Sequence, residues 1–137
     1  MLYSIVIPCY KSSKTIRKVV EMTMQEMDRL DRREYEFVLV DDCSPDDGET
    51  MAALMGLVRD YACVKVVELA KNAGQHNAVM AGLNEGREMY LSPWMMICRH
   101  IRPSWENDWM NLIRDMILYM DIMNIRSTAS SVTLAVM

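Results

Sequence analysis

Four carboxylates and a hydroxyl fall within "VDDCSPDD", Val40 to Asp47. Asp41 and Asp42 end an apolar run, where a buried strand would meet solvent. Paired acids at such a point can hydrogen-bond a base or a ribose, or help hold a divalent cation. The alternative is structural: Asp42 and Asp46 cap the next helix through its free N–H groups. Spacing alone leaves both readings open. Lys71 reads either as a solvated loop cation or as a counter-charge to a diphosphate. His76 reads as a partly exposed helix residue. Neither GxGxxG nor GxxxxGK[ST] occurs, which disfavours a glycine-rich dinucleotide or Walker-type phosphate loop.

The elements that must position these groups alternate strand and helix. "YSIVIP" (Tyr3 to Pro8), "EFVLVDD" (Glu36 to Asp42) and "CVKVVEL" (Cys63 to Leu69) are short, β-branched runs expected to be buried strands. After the first, Ile16, Val19, Val20, Met24 and Met27 recur at helical spacing, with Ser12 or Ser13 as the cap. After the second, a helix is expected from Ser44 as N-cap and Pro45 at the first helical position, with Met51, Leu54, Met55 and Val58 facing inward. A third spans Ala73 to Gly86, with Gly82 a weak spot inside it. This order implies a parallel sheet whose ligands bind beyond the carboxyl ends of the strands. The loops there are Pro8 to Ser13, Asp41 to Asp47 and Ala70 to Gln75.

Composition narrows the class. With 137 residues and a net charge of -4, the chain is long enough for one core and gives no electrostatic case for nucleic acid. Cys9, Cys43, Cys63 and Cys98 are scattered without a CxxC pair, against a zinc site or disulfide framework and in keeping with a reducing compartment. No window approaches the roughly 20 apolar residues of a membrane span, and no signal peptide is expected.

Taken together, "SIVIPCYKSSKTI", "EFVLVDDCSPDD" and "VVELAKNAGQHNAVMAGLNEG" resemble the N-terminal half of family 2 glycosyltransferases of GT-A fold, over about residues 2 to 86. "NAGQHNAVMAGL" looks most like the polyprenyl-phosphate sugar transferases of bacterial membranes. The resemblance implies an α/β, Rossmann-like half-domain that binds a nucleotide sugar, a UDP-sugar being expected. It also implies site residues. The backbone of Pro8, Cys9 and Tyr10 would border the nucleotide, and Asp41 or Asp42 would contact the uracil or ribose. Ser44 and Asp46 match the family's Ser-x-Asp, and Asn72, Gly74 and Gln75 match the loop near the nucleotide. A cytoplasmic location, at the membrane face, follows from the same resemblance.

The family continues with a fourth strand ending in Asp-x-Asp, which binds Mg or Mn on the donor diphosphate. No Asp-x-Asp follows Gly86; Trp94, Met95, Met96 and Ile97 stand there instead. Trp and Met have single codons, so Pro93 to Ile97 must be CCN TGG ATG ATG ATH. Regrouped by one base, this reads NTG GAT GAT GAT, three consecutive Asp with Met allowed before them. Upstream, Met89-Tyr90 forces a Val, and Gly-Asp-Val-Phe-Val-Thr-Met is permitted. Downstream, Asp115 to Asp121 permits Gly-Tyr-Asp-Ile-Val-Tyr-Gly, with the Asp and the final Gly forced. The same shift explains why all three Trp, and 8 of 15 Met, lie from Met89 onward. The expected organisation is thus a nucleotide-sugar-binding half over 1–86 and a frame-shifted tail over 87–137.

Several expectations follow. The tail adds irregular or helical structure, with Trp105, Trp109, Leu112, Ile113, Met116, Met120 and Met123 able to form a stripe but packing poorly. The first strand lacks a neighbour, leaving an apolar edge through which the chain can self-associate and one sheet face exposed. The chain is expected to be truncated, without bound metal and without glycosyl transfer. The competing reading is a nucleotide-binding or protein-interaction module. A receiver-like domain is disfavoured, since neither its phosphoacceptor Asp nor its late Lys is visible.

Overall fold

The computed structural model describes residues 3–85 together with Asn111, Arg114, Asp115 and Leu118. The order is β1 (Tyr3–Cys9), α1 (Ile16–Arg29), β2 (Tyr35–Asp41), α2 (Glu49–Asp60), β3 (Val64–Glu68) and α3 (Gln75–Glu85). The strands form a parallel sheet in the order β1-β2-β3. Cys9 pairs with Asp41 and Asp41 with Glu68, so the three carboxyl ends lie level.

Strand alternation divides the core between two faces. Ile5, Ile7, Cys9, Phe37 and Leu39 pack with Ile16, Val19, Val20 and Met27 of α1 and with Leu54 and Leu57 of α2. Val6, Val38 and Val40 pack with Ala78 of α3. Burial on both faces is why β1 and β2 read as continuous apolar runs. The sheet face expected to be exposed is therefore covered, with Val6 only 1% accessible.

Several helix details differ from expectation. Helix α2 begins at Glu49, not after Ser44. Asp47 and Gly48 hold left-handed φ of 54° and 82°, so the chain cannot turn helical before them. Its buried residues are Thr50, Leu54 and Leu57, whereas Met55 is 46% exposed. Helix α1 starts after Thr15, without a side-chain cap from Ser12 or Ser13. Its inward stripe includes Thr23, whose hydroxyl donates to the Val19 carbonyl at 2.7 Å, while Met24 is only partly buried.

Asn111, Arg114, Asp115 and Leu118 are helical. Arg114 Nε donates to the buried Glu26 of α1 at 2.8 Å. The stripe Trp105, Trp109, Leu112, Ile113, Met116, Met120 and Met123 lies outside the described residues, as does Cys98.

Candidate functional site

The loops leaving β1 and β2 turn in the same way. Two residues beyond the Cys9–Asp41 pair, Lys11 and Cys43 hold left-handed φ of 51° and 52°. Such a conformation costs a non-glycine residue on the order of 1–3 kcal/mol and persists only where the surroundings impose it. Here the surroundings are hydrogen bonds between the two loops. The Lys11 N–H donates to Ser44 Oγ at 3.0 Å, and the Ser44 hydroxyl donates to Asp41 Oδ1 at 2.6 Å. The Ser12 N–H donates to Thr50 Oγ1 at 3.0 Å, and the Thr50 hydroxyl donates to Asp46 Oδ2. Two consecutive amides of the first loop thus rest on two hydroxyls, each anchored to an aspartate.

The third loop is tied more lightly. Asp42 Oδ1 accepts the Ala73 N–H at 2.8 Å, and Asn72 Oδ1 accepts the Gly74 N–H at 3.1 Å. Gly74 has φ of 86°, a value that glycine adopts without steric penalty. The Cys43 thiol lies 3.9 Å from the Ala70 carbonyl and donates to it weakly. The Leu69 N–H donates to the Asp41 carbonyl at 2.9 Å, carrying the ladder to the loop's edge.

These contacts test the capping reading of the acids. Asp46 does cap α2, accepting the Thr50 N–H at 3.1 Å. Asp42 does not cap α2; it braces the third loop. Asp41 holds Ser44 through both its N–H and its hydroxyl. Ser44 is a link between loops and not a helix cap.

The remaining predicted positions divide by exposure. Pro8 and Cys9 are buried inside β1, which runs one residue past Pro8. The Cys9 thiol donates to the Ile7 carbonyl at 3.5 Å and so faces inward. Only their backbone can border a ligand. Tyr10 is half-buried, with Lys11 Nζ 5.7 Å from its ring centroid. Asn72 and Gly74 are exposed, Gln75 opens α3, and Lys71 and His76 face solvent. Two contributors escaped sequence reasoning in these roles: Ser12, 1% exposed, and Thr50, fully buried. Thr50 lay in a stretch read for its apolar residues, and only the Asp46-to-Thr50 interval hinted at a side-chain link.

Among the described residues no group of three or more His, Cys, Asp or Glu is arranged to hold a metal ion. Asp41 and Asp42 are adjacent, but their Oδ1 atoms brace different loops. Burial pushes the Cys63 thiol up, away from thiolate character.

Helices α1 and α2 cover one face of the sheet and α3 the other. In open α/β sheets ligands bind outside the carboxyl ends of the strands, which here lie level and carry the three loops.

A family model described as glycosyl transferase family 2 matches residues 4–92. An undecaprenyl-phosphate 4-deoxy-4-formamido-L-arabinose transferase of Proteus mirabilis is 35% identical over 82 residues, 60% of this chain and 24% of that protein. The protein of the same name from Pseudomonas syringae is 38% identical, with the same coverage. This chain thus spans about a quarter of the length of these curated relatives. Among solved structures, S. aureus TarS 1-349 in complex with UDP-GlcNAc superposes with a TM-score of 0.54 at 26% identity, over 66% of this chain and 25% of that one. A mannosyltransferase from Pyrobaculum calidifontis, in complex with GDP-Man and Mn2+, gives a TM-score of 0.51 over 61% of this chain and 24% of that one; at 23% identity it speaks to the fold alone.

Proposed function

The chain belongs to glycosyl transferase family 2, and from that premise we propose that residues 1–86 are the nucleotide-sugar-binding half of a GT-A domain. The observation that carries this reading is the pair of loops beyond the carboxyl ends of β1 and β2, fixed to each other through Ser44 and Thr50. A fixed pair of loops binds without first losing conformational freedom. The ligand is a nucleoside diphosphate sugar, with a UDP-sugar favoured. Asp41 or Asp42 meets the uracil or ribose with the carboxylate oxygen not engaged in bracing. The backbone of Pro8, Cys9 and Tyr10 lines one side, and Asn72, Gly74 and Gln75 the other. Ser44 and Asp46 hold the walls. The acceptor is a polyprenyl phosphate, on the support of the relatives' names.

The residues after Gly86 are, in this reading, family coding sequence translated in a shifted frame. This removes the Asp-x-Asp, so the chain binds nucleotide without transferring sugar and without holding Mg or Mn. A nucleotide-binding module without catalysis is therefore the reading for the chain as it stands. The free side of β1 is the edge through which copies would associate, and a cytoplasmic location follows from the substrate class.

Calorimetric titration of the 137-residue chain tests the binding reading. UDP should bind saturably, Asp42→Asn should weaken it, and a UDP-sugar with Mn2+ and polyprenyl phosphate should release no UDP. Absence of binding, or measurable turnover, would refute it. The frame reading is decided by the DNA: codons for Trp94 to Ile97 without an open frame one base away rule it out.

A further inference from the structure

We propose that Thr50 is a positioning residue that sets the shape of the first loop, and through it the affinity of the nucleotide site. The affinity half of this claim rests on the nucleotide-site reading; the loop-shape half does not. Thr50 is fully buried, and Ser12, which it holds, is 1% exposed. Water cannot replace either group. The relay runs from the Ser12 N–H to Thr50 Oγ1, at 3.0 Å, and from the Thr50 hydroxyl to Asp46. Ser12 in turn controls both sides of itself. Its Oγ accepts the Tyr10 N–H and donates to the Tyr10 carbonyl, both at 3.2 Å. Its carbonyl accepts the Thr15 and Ile16 N–H groups at 3.1 and 3.0 Å, which begins α1. One hydroxyl on α2 therefore fixes Tyr10, the left-handed Lys11 between them and the entry to α1.

The parallel relay through Ser44 is the internal comparison for loop shape. Ser44 is only half-buried, so water can stand in for its hydroxyl. An unsatisfied buried donor costs more than an exposed one. The two relays should therefore respond unequally to loss of their hydroxyls.

The test uses the full 137-residue chain, folded and well below its unfolding range, with UDP as the probe. Backbone amide exchange is measured for wild type, T50V, T50S and S44A, and UDP affinity for wild type, T50V and T50S. In T50V the amides of Tyr10 to Ser12 should exchange faster while the carboxyl half of α2 does not change. UDP affinity should fall about tenfold in T50V and stay within about twofold in T50S, which keeps the hydroxyl. Wild-type affinity in T50V despite faster exchange at Ser12, or equal loss in T50S, would overturn the affinity claim. Should wild type not bind UDP, the nucleotide reading fails and the affinity claim with it. The exchange data then decide the loop-shape claim alone, and a Ser12 amide still protected in T50V overturns it. If T50V does not fold, T50A removes the same hydroxyl and carries the same criteria.

Discussion

The two faces of the sheet are built on opposite principles. One is filled by large side chains from two helices, with Phe37, Leu39, Leu54 and Leu57 all fully buried. The other is closed by one helix that nearly touches the strands. A Cβ added at Gly82 of α3 would lie 2.3 Å from Val6 Cγ1 and 2.9 Å from Val40 Cγ2. The first face gains from volume, the second from its absence. They should therefore fail in opposite ways, by cavity formation on one and by overpacking on the other.

The largest effect is expected on the filled face. Phe37→Ala should cost about 3–5 kcal/mol in urea unfolding, through lost burial plus the cavity. Next comes the close face, where Gly82→Ala should cost about 1–3 kcal/mol by forcing α3 off the sheet. The contrast sharpens in the double variants. Val6→Ala removes the Val6 Cγ1 methyl, the nearest atom the new Cβ would meet, so Gly82→Ala combined with Val6→Ala should cost less than the sum of the two. Gly82→Ala combined with Phe37→Ala should be additive within about 0.5 kcal/mol, because the two lie on different faces. Additivity in the first pair would break the comparison. The smallest effect is on the outer side of α2, where Met55→Lys should stay within about 0.5 kcal/mol. A large loss there would mean that α2 presents a different side to the sheet.

Sequence patterns carried the architecture further than the site. β1 and β2 were legible because burial on both faces leaves uninterrupted apolar runs, as in "IVIP" and "FVLV". The loops were legible because polar residues collect where strands end. The start of α2 was not legible, because Ser44 and Pro45 carry a helix-start pattern while Asp47 and Gly48 adopt left-handed turns. Ser44 instead spends its hydroxyl on Asp41, 2.6 Å away, and its acceptor on Lys11, a partner 33 residues distant. Gly82 read as a weak point in a helix, since its reason lies in Val6 and Val40, which no local pattern reveals. Thr50 was hidden for the same reason: its partner Ser12 is 38 residues away.

The same division bears on the site. The loops after β1 and β2 are locked to each other, while the loop after β3 is held to them mainly through Asp42 and Ala73. The locked pair supplies shape, and the lighter loop can adjust to what enters. An amide chemical-shift map of the 137-residue chain titrated with UDP tests this most directly. The account predicts saturable shifts confined to Cys9 to Ser12, Asp41 to Asp46 and Ala70 to Gln75, largest where the loops meet. No saturable change, or shifts centred on the outer surfaces of α1 and α2, would contradict it.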